Sequence, residues 1–225
     1  MIKQLFKKYK HFSYALVFIA LHAVFFWLEL TIEPKYYMER QIDSYIPFIK
    51  YFVVAYVSWH LYVFAVPIYF GFKSKKHFYE VCTFMALGTA ISIIIFYLFP
   101  NGQGLRPEIV ETDVFSRLIG LIYYIDTPTN VAPSMHVIHA VAVHIALVKY
   151  EPFARRKALP IASFIVMVLV SLSTLFIKQH AVLDVLLSIL VCGFLYVMVY
   201  VLAPKIIKSR AQKGEYKKQA ATEKN

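Results

Sequence analysis

Long apolar runs, separated by short polar and cationic segments, dominate the sequence. Six runs approach or exceed the ~20 residues that an α-helix needs to cross a bilayer. They lie at about residues 12–30, 46–72, 78–100, 133–150, 161–177 and 182–203. A further helix, amphipathic and too short to cross, is predicted at residues 114–125. The pattern predicts an all-α integral membrane protein built as a bundle of six transmembrane helices.

The cationic residues between the runs predict the topology. Eighteen of the 24 Lys and Arg residues fall in the N-terminal arm, the loop at 73–77, the segment at 149–157 and the C-terminal tail. By the positive-inside rule, both termini are cytoplasmic and the alternate loops are exoplasmic, that is periplasmic, extracellular or lumenal. We expect one membrane domain, residues 1–204, followed by a basic and disordered cytoplasmic tail, residues 205–225.

Composition narrows the class of protein further. With 60% hydrophobic residues, the chain is too apolar for an ordinary soluble domain. The formal net charge of +11 lies in clusters at the ends of the apolar runs, which favours anionic membrane lipids rather than nucleic acid as partners. Cys82 and Cys192 both lie inside apolar runs and predict neither a disulfide nor a thiolate metal site. The pattern leaves the oligomeric state undetermined.

Three polar sites fall at the predicted exoplasmic ends of the spans. One of them pairs His180 with Asp184, which are four residues apart and lie on one face of a helix. A hydrogen bond to the carboxylate would fix the imidazole tautomer and leave the other ring nitrogen free to act as a nucleophile or base. The same spacing also suits a purely structural His–Asp contact.

The other two sites offer ways to bind an anion. Ser134 to His136 begin an apolar run, where the N–H groups and the dipole of a helix N-terminus favour negative charge. Alternatively, Ser134 is only an N-cap and His136 only reaches the interface. Arg106 can clamp a phosphate through two hydrogen bonds, or contact a lipid headgroup. Combined with the His–Asp pair, these residues fit in-line phosphoryl transfer through a phosphohistidine.

A metal site is a different interpretation of the same histidines. His139 lies one turn from His136, so His136, His139, His180 and Asp184 could together bind zinc. The sequence motifs favour the metal-free alternative.

Three short blocks resemble a known family. They are R-P at Arg106–Pro107, P-S-M-H at Pro133–His136 and H-A-V-L-D at His180–Asp184. They are similar to the signature of the type 2 phosphatidic acid phosphatase superfamily, which includes lipid phosphatases and vanadium haloperoxidases. The forms N-x-x-P-S-x-H and S-T-x-x-x-K-Q-H-x-x-x-D resemble the branch that contains inositol phosphorylceramide synthases. The resemblance covers roughly residues 100–190.

The resemblance implies a fold and a set of roles. The fold is a six-helix membrane bundle, and the enzyme requires no metal or other cofactor. His180 would be the nucleophile, Asp184 its orienting partner, and His136 the acid that protonates the leaving group. Arg106 and Ser134 would bind the phosphate.

The sequence departs from the family pattern at three positions. Phe99 stands where the first block has a lysine, Met135 replaces the glycine of P-S-G-H, and Thr174 replaces an arginine. Two phosphate-binding cations are therefore missing. Lys178 is a candidate substitute, provided that the fifth span has ended before it.

These observations predict a membrane lipid phosphatase. It would hydrolyse a lipid phosphate through a phosphohistidine at the exoplasmic face. The first alternative is a lipid phosphotransferase, which moves a headgroup as inositol phosphorylceramide and sphingomyelin synthases do. An alternative of another class is a non-enzymatic transporter or binding bundle, but such a protein would carry polar residues through the span centres, whereas here they concentrate at one end.

Overall fold

The structure is a computed structural model that describes residues 9–222, with side chains described for residues 9–213. Three lysines of the predicted cationic arm, Lys3, Lys7 and Lys8, lie outside the described residues. So do residues 223–225 of the predicted tail.

Helices form almost the whole of the described chain. In chain order they are α1 (Ala15–Thr31), α2 (Gln41–Ser44), α3 (Val53–Lys73), α4 (Lys75–Leu98), α5 (Val114–Ile125), α6 (Met135–Lys149), α7 (Glu151–Ala154), α8 (Ala158–Phe176), α9 (Val182–Tyr196) and α10 (Ala203–Thr222). Short 3-10 turns, Lys10–Tyr14 and Lys50–Phe52, precede α1 and α3, and a π-helical segment, Val197–Leu202, joins α9 to α10. The predicted amphipathic helix is confirmed as α5, which Asp113 caps.

Five helical segments of the described chain are long and apolar enough to cross a membrane, rather than the six expected. They are Lys10–Thr31, Lys50–Lys73, Lys75–Leu98, Ala158–Phe176 and Val182–Lys213. The fourth predicted span is α6, which has 15 residues and a length of about 22 Å, short of a hydrocarbon core of about 30 Å.

The position of α6 explains its shortness. It packs against α3, α4, α8 and α9, so other helices rather than lipid surround most of its surface. Its residues Val137 to Val143 are nearly all buried and belong to the main hydrophobic core. A central helix that is shielded in this way does not need to match the thickness of the bilayer by itself.

Close packing of α6 against α4 depends on Gly88. A Cβ atom at this position would lie 2.5 Å from Cγ2 of Ile138 and 3.4 Å from Cδ1 of Leu195. Those distances are shorter than or at the limit of ordinary carbon contacts, so any larger residue would push the helices apart. Gly88 thus helps to set the distance between α4 and α6, the helix that carries His136.

The loops at one end of the bundle are joined by a small sheet. Strands β1 (Tyr36–Tyr37) and β2 (Asn101–Gly102) are parallel, with Tyr36 opposite Asn101. Gly102 also forms an antiparallel bridge with Thr129. These contacts bring the loop after α1, the loop after α4 and the approach to α6 together at the end where α6 and α9 begin.

The C-terminal segment, which was predicted to be a basic tail, is helical over most of its length. The chain remains helical from the sixth predicted span through α10 to Thr222. The reason lies in its composition, because the Ala, Lys, Gln, Arg and Glu residues of this segment all favour helix. The cytoplasmic location of this segment stays a prediction.

Candidate active site

His180 lies between a carboxylate and a second imidazole. Its Nδ1 donates to Oδ2 of Asp184 at 3.2 Å, and its Nε2 faces Nδ1 of His136 at 3.4 Å. The His180 side chain is only about 8% exposed and that of Asp184 is fully buried. The two histidines, 44 residues apart in the sequence, therefore meet with one ring nitrogen of His180 oriented and the other available.

The start of α9 holds His180 in place. Asp184 lies in the first turn, where Oδ2 also accepts a hydrogen bond from the N–H of Ala181 at 2.9 Å. One carboxylate therefore caps the helix and orients the imidazole. Asp43, from the loop after α1, reaches the same helix end and accepts from the N–H of Val182 at 2.8 Å. Asp43 is buried, although in the sequence it lies in a polar stretch between two apolar runs.

His136 lies in the first turn of α6 between two aromatic rings. The ring centroid of Tyr56 is 4.7 Å from that of His136, and the ring centroid of Trp59 is 4.6 Å away. The indole N–H of Trp59 donates to the carbonyl of His136 at 3.0 Å. Both aromatic residues come from α3, and no motif in the sequence indicated that this helix would line the site.

Ser134 takes the N-cap position of α6. Its Oγ accepts from the N–H of Val137 at 3.5 Å, and its carbonyl accepts from the hydroxyl of Ser188 at 3.1 Å. The residue is completely buried and does not line the cavity beside His180. In this conformation the structure places Ser134 as a cap, the alternative that sequence analysis left open beside phosphate binding.

Arg106 reaches the site through Gln179, the neighbour of His180. Its Nη2 donates to the side-chain oxygen of Gln179 and to the carbonyl of Asp126 at 2.6 Å, and Nη1 donates to the carbonyl of Tyr123 at 3.1 Å. The guanidinium lies 4.5 Å from the centroid of the Tyr123 ring. Burial lowers the pKa of Arg106, and the nearby charge of Asp126 opposes this shift.

Asp126 connects the arginine with the aromatic wall. Its Oδ2 accepts from the hydroxyl of Tyr56 at 2.9 Å and from the amide of Gln179 at 3.3 Å. Tyr56 in turn packs on His136, so a continuous chain of contacts leads from Arg106 to both histidines. In the sequence, Asp126 only precedes the proline-containing stretch T-P-T-N at residues 127–130.

Lys178 is directed away from the cavity. The helix α8 ends at Phe176, as a role for Lys178 required, and Lys178 adopts a left-handed backbone with φ of 56°. However, its Nζ donates to the carbonyls of Asp43 at 2.9 Å and Ile46 at 2.6 Å. Burial lowers the pKa of this ammonium, and the charge of Asp43 opposes the shift. Here Lys178 ties the turn before α9 to the loop after α1 and does not point at His180.

The two residues that stand in place of cations, Phe99 and Thr174, are both uncharged. Phe99 is 57% exposed and carries its ring outward, and Thr174 is fully buried with its hydroxyl donating to the carbonyl of Ser171 at 2.7 Å. Of the three family cations, only Arg106 is retained in the sequence.

A small cavity adjoins the two histidines. Its volume is about 20 Å³, close to the space that one water molecule needs. Its lining includes His136, His180, Gln179, Asp126 and Asn130. A phosphoryl group is larger than this space, so binding one requires the lining side chains to move apart.

His139 does not join the other histidines. Its Nε2 pairs with the hydroxyl of Thr89 on α4 at 3.0 Å, and its side chain is fully buried. Among the residues that the structure describes, no group of three or more His, Cys, Asp and Glu side chains is arranged to hold a metal ion. The geometry therefore gives no support to the zinc interpretation of the sequence.

Asn101 fixes the loop that leads into α6. Its Oδ1 accepts from the N–H groups of Val131 at 2.9 Å and Ala132 at 2.8 Å, and its Nδ2 donates to the carbonyls of Ala132 and Phe99. One buried carboxamide thus satisfies four backbone groups in two loops that are about 30 residues apart. Asn101 lies in β2, and nothing in the sequence indicated which loop its side chain would bind.

Comparison with known proteins agrees with this geometry. Residues 103–208 match the family model described as the PAP2 superfamily, and this segment contains Arg106, the P-S-M-H block and the His180–Asp184 pair. No curated protein and no solved structure matches the chain significantly. Together with the five apolar helices of membrane-spanning length, the match supports an integral membrane enzyme that acts on phosphoric esters, as a lipid phosphatase or a related phosphotransferase.

Proposed function

We propose that this protein is a membrane lipid phosphatase that hydrolyses a lipid phosphate through a phosphohistidine on His180. The observation that carries the proposal is the position of His180, held between Asp184 and His136 at one end of an apolar helical bundle. In the proposed topology α6 is a sixth crossing helix, both termini are cytoplasmic, and this end of the bundle is exoplasmic, as the distribution of Lys and Arg favours.

The proposed reaction has two steps. In the first, Nε2 of His180 attacks the phosphorus, the bond from phosphorus to the lipid oxygen breaks, and His136 donates a proton to that oxygen. The negative charge of Asp184 stabilises the positive charge that develops on the His180 ring. In the second step, a water molecule gives a proton to His136 and attacks the phosphorus, and the bond from phosphorus to Nε2 of His180 breaks. Inorganic phosphate leaves, His180 returns to its neutral form and His136 is protonated again.

The substrate must enter between the two histidines. Their facing nitrogens are 3.4 Å apart, and in-line attack needs the phosphorus and the leaving oxygen to lie between Nε2 of His180 and Nδ1 of His136. The rings therefore have to separate on binding. Arg106 can bind phosphoryl oxygens if it exchanges one of its present acceptors, Gln179 or the Asp126 carbonyl, for the substrate.

A second candidate function is transfer of a lipid headgroup from a phosphodiester. The charge of the site favours this candidate, since Arg106 is the one family cation that remains and the Asp126 carboxylate lines the same cavity. A phosphodiester carries one negative charge at neutral pH, whereas a phosphomonoester carries close to two. The monoanion needs less compensating charge from the protein. In that reaction a lipid hydroxyl takes the place of water in the second step.

The two functions and the non-enzymatic alternative give different results in one assay. Purified protein in detergent is incubated with a panel of lipid phosphates and of phosphodiester lipids, with and without ceramide or diacylglycerol. Phosphate release without an acceptor supports the phosphatase, and headgroup transfer supports the transferase. Absence of both reactions across the panel would leave the transporter or binding bundle as the better explanation.

The nucleophile is tested by substitution. We expect His180→Ala to lower phosphate release at least ~10³-fold and to abolish the acid-labile phosphoenzyme that is trapped with radiolabelled substrate. His77→Ala is the matched control, because His77 lies at the opposite end of the bundle and bonds with Ser74. Phosphate release that survives in His180→Ala would exclude the proposed mechanism.

The topology is tested by labelling with a membrane-impermeant maleimide. Glu108 is exposed beside Arg106, and Lys75 is exposed at the other end of the bundle. We expect Glu108→Cys to be labelled from outside intact cells or vesicles and Lys75→Cys only after the membrane is opened. The reverse pattern would overturn the exoplasmic assignment without affecting the proposed chemistry.

A further inference from the structure

Asn130 carries a buried hydrogen-bond donor that has no acceptor. Its side chain lines the cavity beside His136 and His180, and the residue is 5% exposed. Its Nδ2 is buried and makes no hydrogen bond with any residue that the structure describes. Leaving such a donor unpaired costs about 1–3 kcal/mol, and native proteins leave few of them. A donor of this kind at the edge of a reactive cavity is suited to a ligand.

The loop holds the backbone of Asn130 in place. Asn130 has a left-handed backbone with φ of 55°, and its N–H donates to the carbonyl of Asn101 at 2.6 Å. The next two N–H groups, of Val131 and Ala132, are bound by the Asn101 side chain. The backbone that carries the donor is therefore positioned before any ligand binds, and positioned donors are those that contribute most to catalysis.

A simpler explanation for an asparagine here is backbone conformation. Asn tolerates the left-handed region better than most residues do, and Gly tolerates it best. If conformation were the whole reason, a glycine at this position would serve equally well. The two explanations therefore differ in one feature, the carboxamide itself.

The site is short of positive charge, which favours neutral hydrogen-bond donors as phosphate ligands. Phe99 and Thr174 stand in place of cations, and Lys178 is bound to the carbonyls of Asp43 and Ile46. Phosphoryl oxygens beside His180 must then be bound by Arg106 and by neutral donors. In the described structure, Nδ2 of Asn130 is a donor of the cavity lining that is not already used by the protein.

We propose that Asn130 is a phosphate-binding residue whose Nδ2 donates to a non-bridging oxygen of the phosphoryl group attacked by His180. The inference rests on the proposed phosphoryl-transfer function and adds to it a ligand that the three sequence blocks do not identify. The carboxamide forms no covalent bond and transfers no proton. It stabilises negative charge on the oxygen, and does so independently of pH because it does not titrate.

The test compares Asn130→Gly with Asn130→Asp. Glycine keeps the left-handed backbone and removes the donor, whereas aspartate keeps the shape and replaces the donor with a negative acceptor. We expect Asn130→Gly to lower kcat/KM about 10²–10³-fold, the usual effect of losing one positioned donor. Asn130→Asp should lower it further. Asn130→Gly should unfold within a few degrees of the wild type, since Nδ2 makes no hydrogen bond with the residues that the structure describes. Asn130→Asp should be less stable, because it places a charge at a buried position.

A binding measurement separates this inference from the function on which it rests. Inorganic phosphate is titrated against wild type and both variants, and the thermal unfolding midpoint in detergent is recorded. We expect phosphate to raise the midpoint of the wild type and to have a much weaker effect on Asn130→Gly.

The outcomes distinguish the two failures. If Asn130→Gly keeps wild-type kcat/KM and the wild-type response to phosphate, the residue serves only the backbone and the inference is overturned. If no lipid substrate reacts but the phosphate response depends on Asn130, the proposed reaction fails and the binding role stands. If phosphate has no effect on the wild type and no substrate reacts, both are overturned.

Discussion

Charged groups close to His180 and charged groups at the other end of the bundle are held in different ways. Close to His180, the charges are buried and bound by several partners. Asp184 caps α9 and orients His180, Asp43 reaches the same helix from α2, and Lys178 is held by two carbonyls. These hydrogen bonds form a framework around the cavity.

At the other end most of the paired charges are exposed to solvent, although Glu80 is only 16% exposed. Arg155 and Glu151 form an ion pair along one helix turn, but about three-quarters of each side chain is exposed. Lys76, 74% exposed, lies 3.8 Å from Glu80. Such pairs contribute little to stability, although their positive charge is what predicts topology. This difference supports the proposal that the end with His180 carries the chemistry and that the other end sets the orientation in the membrane.

The largest loss of phosphate release is expected when Asp184 is substituted. We expect Asp184→Asn to lower phosphate release about 10³–10⁴-fold, because the wrong imidazole tautomer is then favoured. Asp184→Ala should in addition destabilise the fold by about 3–5 kcal/mol, since a buried charged pair loses one partner. Glu80→Gln at the opposite end is the control. Similar losses in Asp184→Asn and Glu80→Gln would remove the distinction between the ends.

Substitution of Asp43 tests whether residues outside the three sequence blocks also hold His180 in place. Asp43→Ala leaves the N–H groups of Arg40 and Val182 without their acceptor. We expect a loss of about 2–3 kcal/mol in unfolding free energy, measured by chemical unfolding in detergent, together with reduced activity as His180 loosens. Asp43→Asn keeps one acceptor oxygen and should lose less. An Asp43→Ala protein with wild-type stability and activity would show that the framework ends at α9.

Substitution of Gly88 tests the close packing of α4 against α6 between the two ends of the bundle. Gly88→Ala forces a methyl group against Ile138, and we expect a loss on the order of 1–2 kcal/mol with a small shift of His136. Gly193→Ala is the matched control, since no atom lies within 4 Å of the added Cβ and alanine favours helix. The control should be neutral or slightly stabilising. Equal effects in the two variants would argue against close α4–α6 packing.

The smallest effect is expected at the exposed pair. Arg155→Ala should change the unfolding free energy by no more than about 0.5 kcal/mol, and the change should shrink as salt is added. Thermal unfolding at low and high ionic strength measures this directly. A loss comparable with that of Asp43→Ala would mean that the cationic end is also a structural framework.

Much of the fold could be predicted from hydropathy. The positions of α1, α3, α4, α5, α8 and α9 follow the apolar runs and their polar ends, because a helix that faces lipid must carry apolar residues throughout its length. The fourth run did not distinguish a full membrane span from a shorter buried helix. Its length suggested a full span, but the buried α6 is shorter, and burial among other helices leaves no distinct mark on a sequence that is apolar in either setting.

The candidate site was predictable where its parts are close in sequence. His180 and Asp184 are four residues apart, and helix geometry by itself brings them together. Tyr56, Trp59 and Asp43 belong to segments with no motif and reach the site only through tertiary contacts. Lys178 shows that closeness in sequence is not sufficient. It lies two residues before His180, but its Nζ binds the carbonyls of Asp43 and Ile46 and is directed away from the cavity.

By itself, the sequence determined that the chain is apolar and helical and that its imidazoles, carboxylate and arginine fall at the ends of apolar runs, since these properties depend on local composition and spacing. The tertiary structure decided which of those groups face one another. His136 meets His180, Ser134 caps α6, Lys178 points away, and Nδ2 of Asn130 has no partner among the described residues. Side-chain direction depends on the surrounding contacts, and those come from residues far away in the chain.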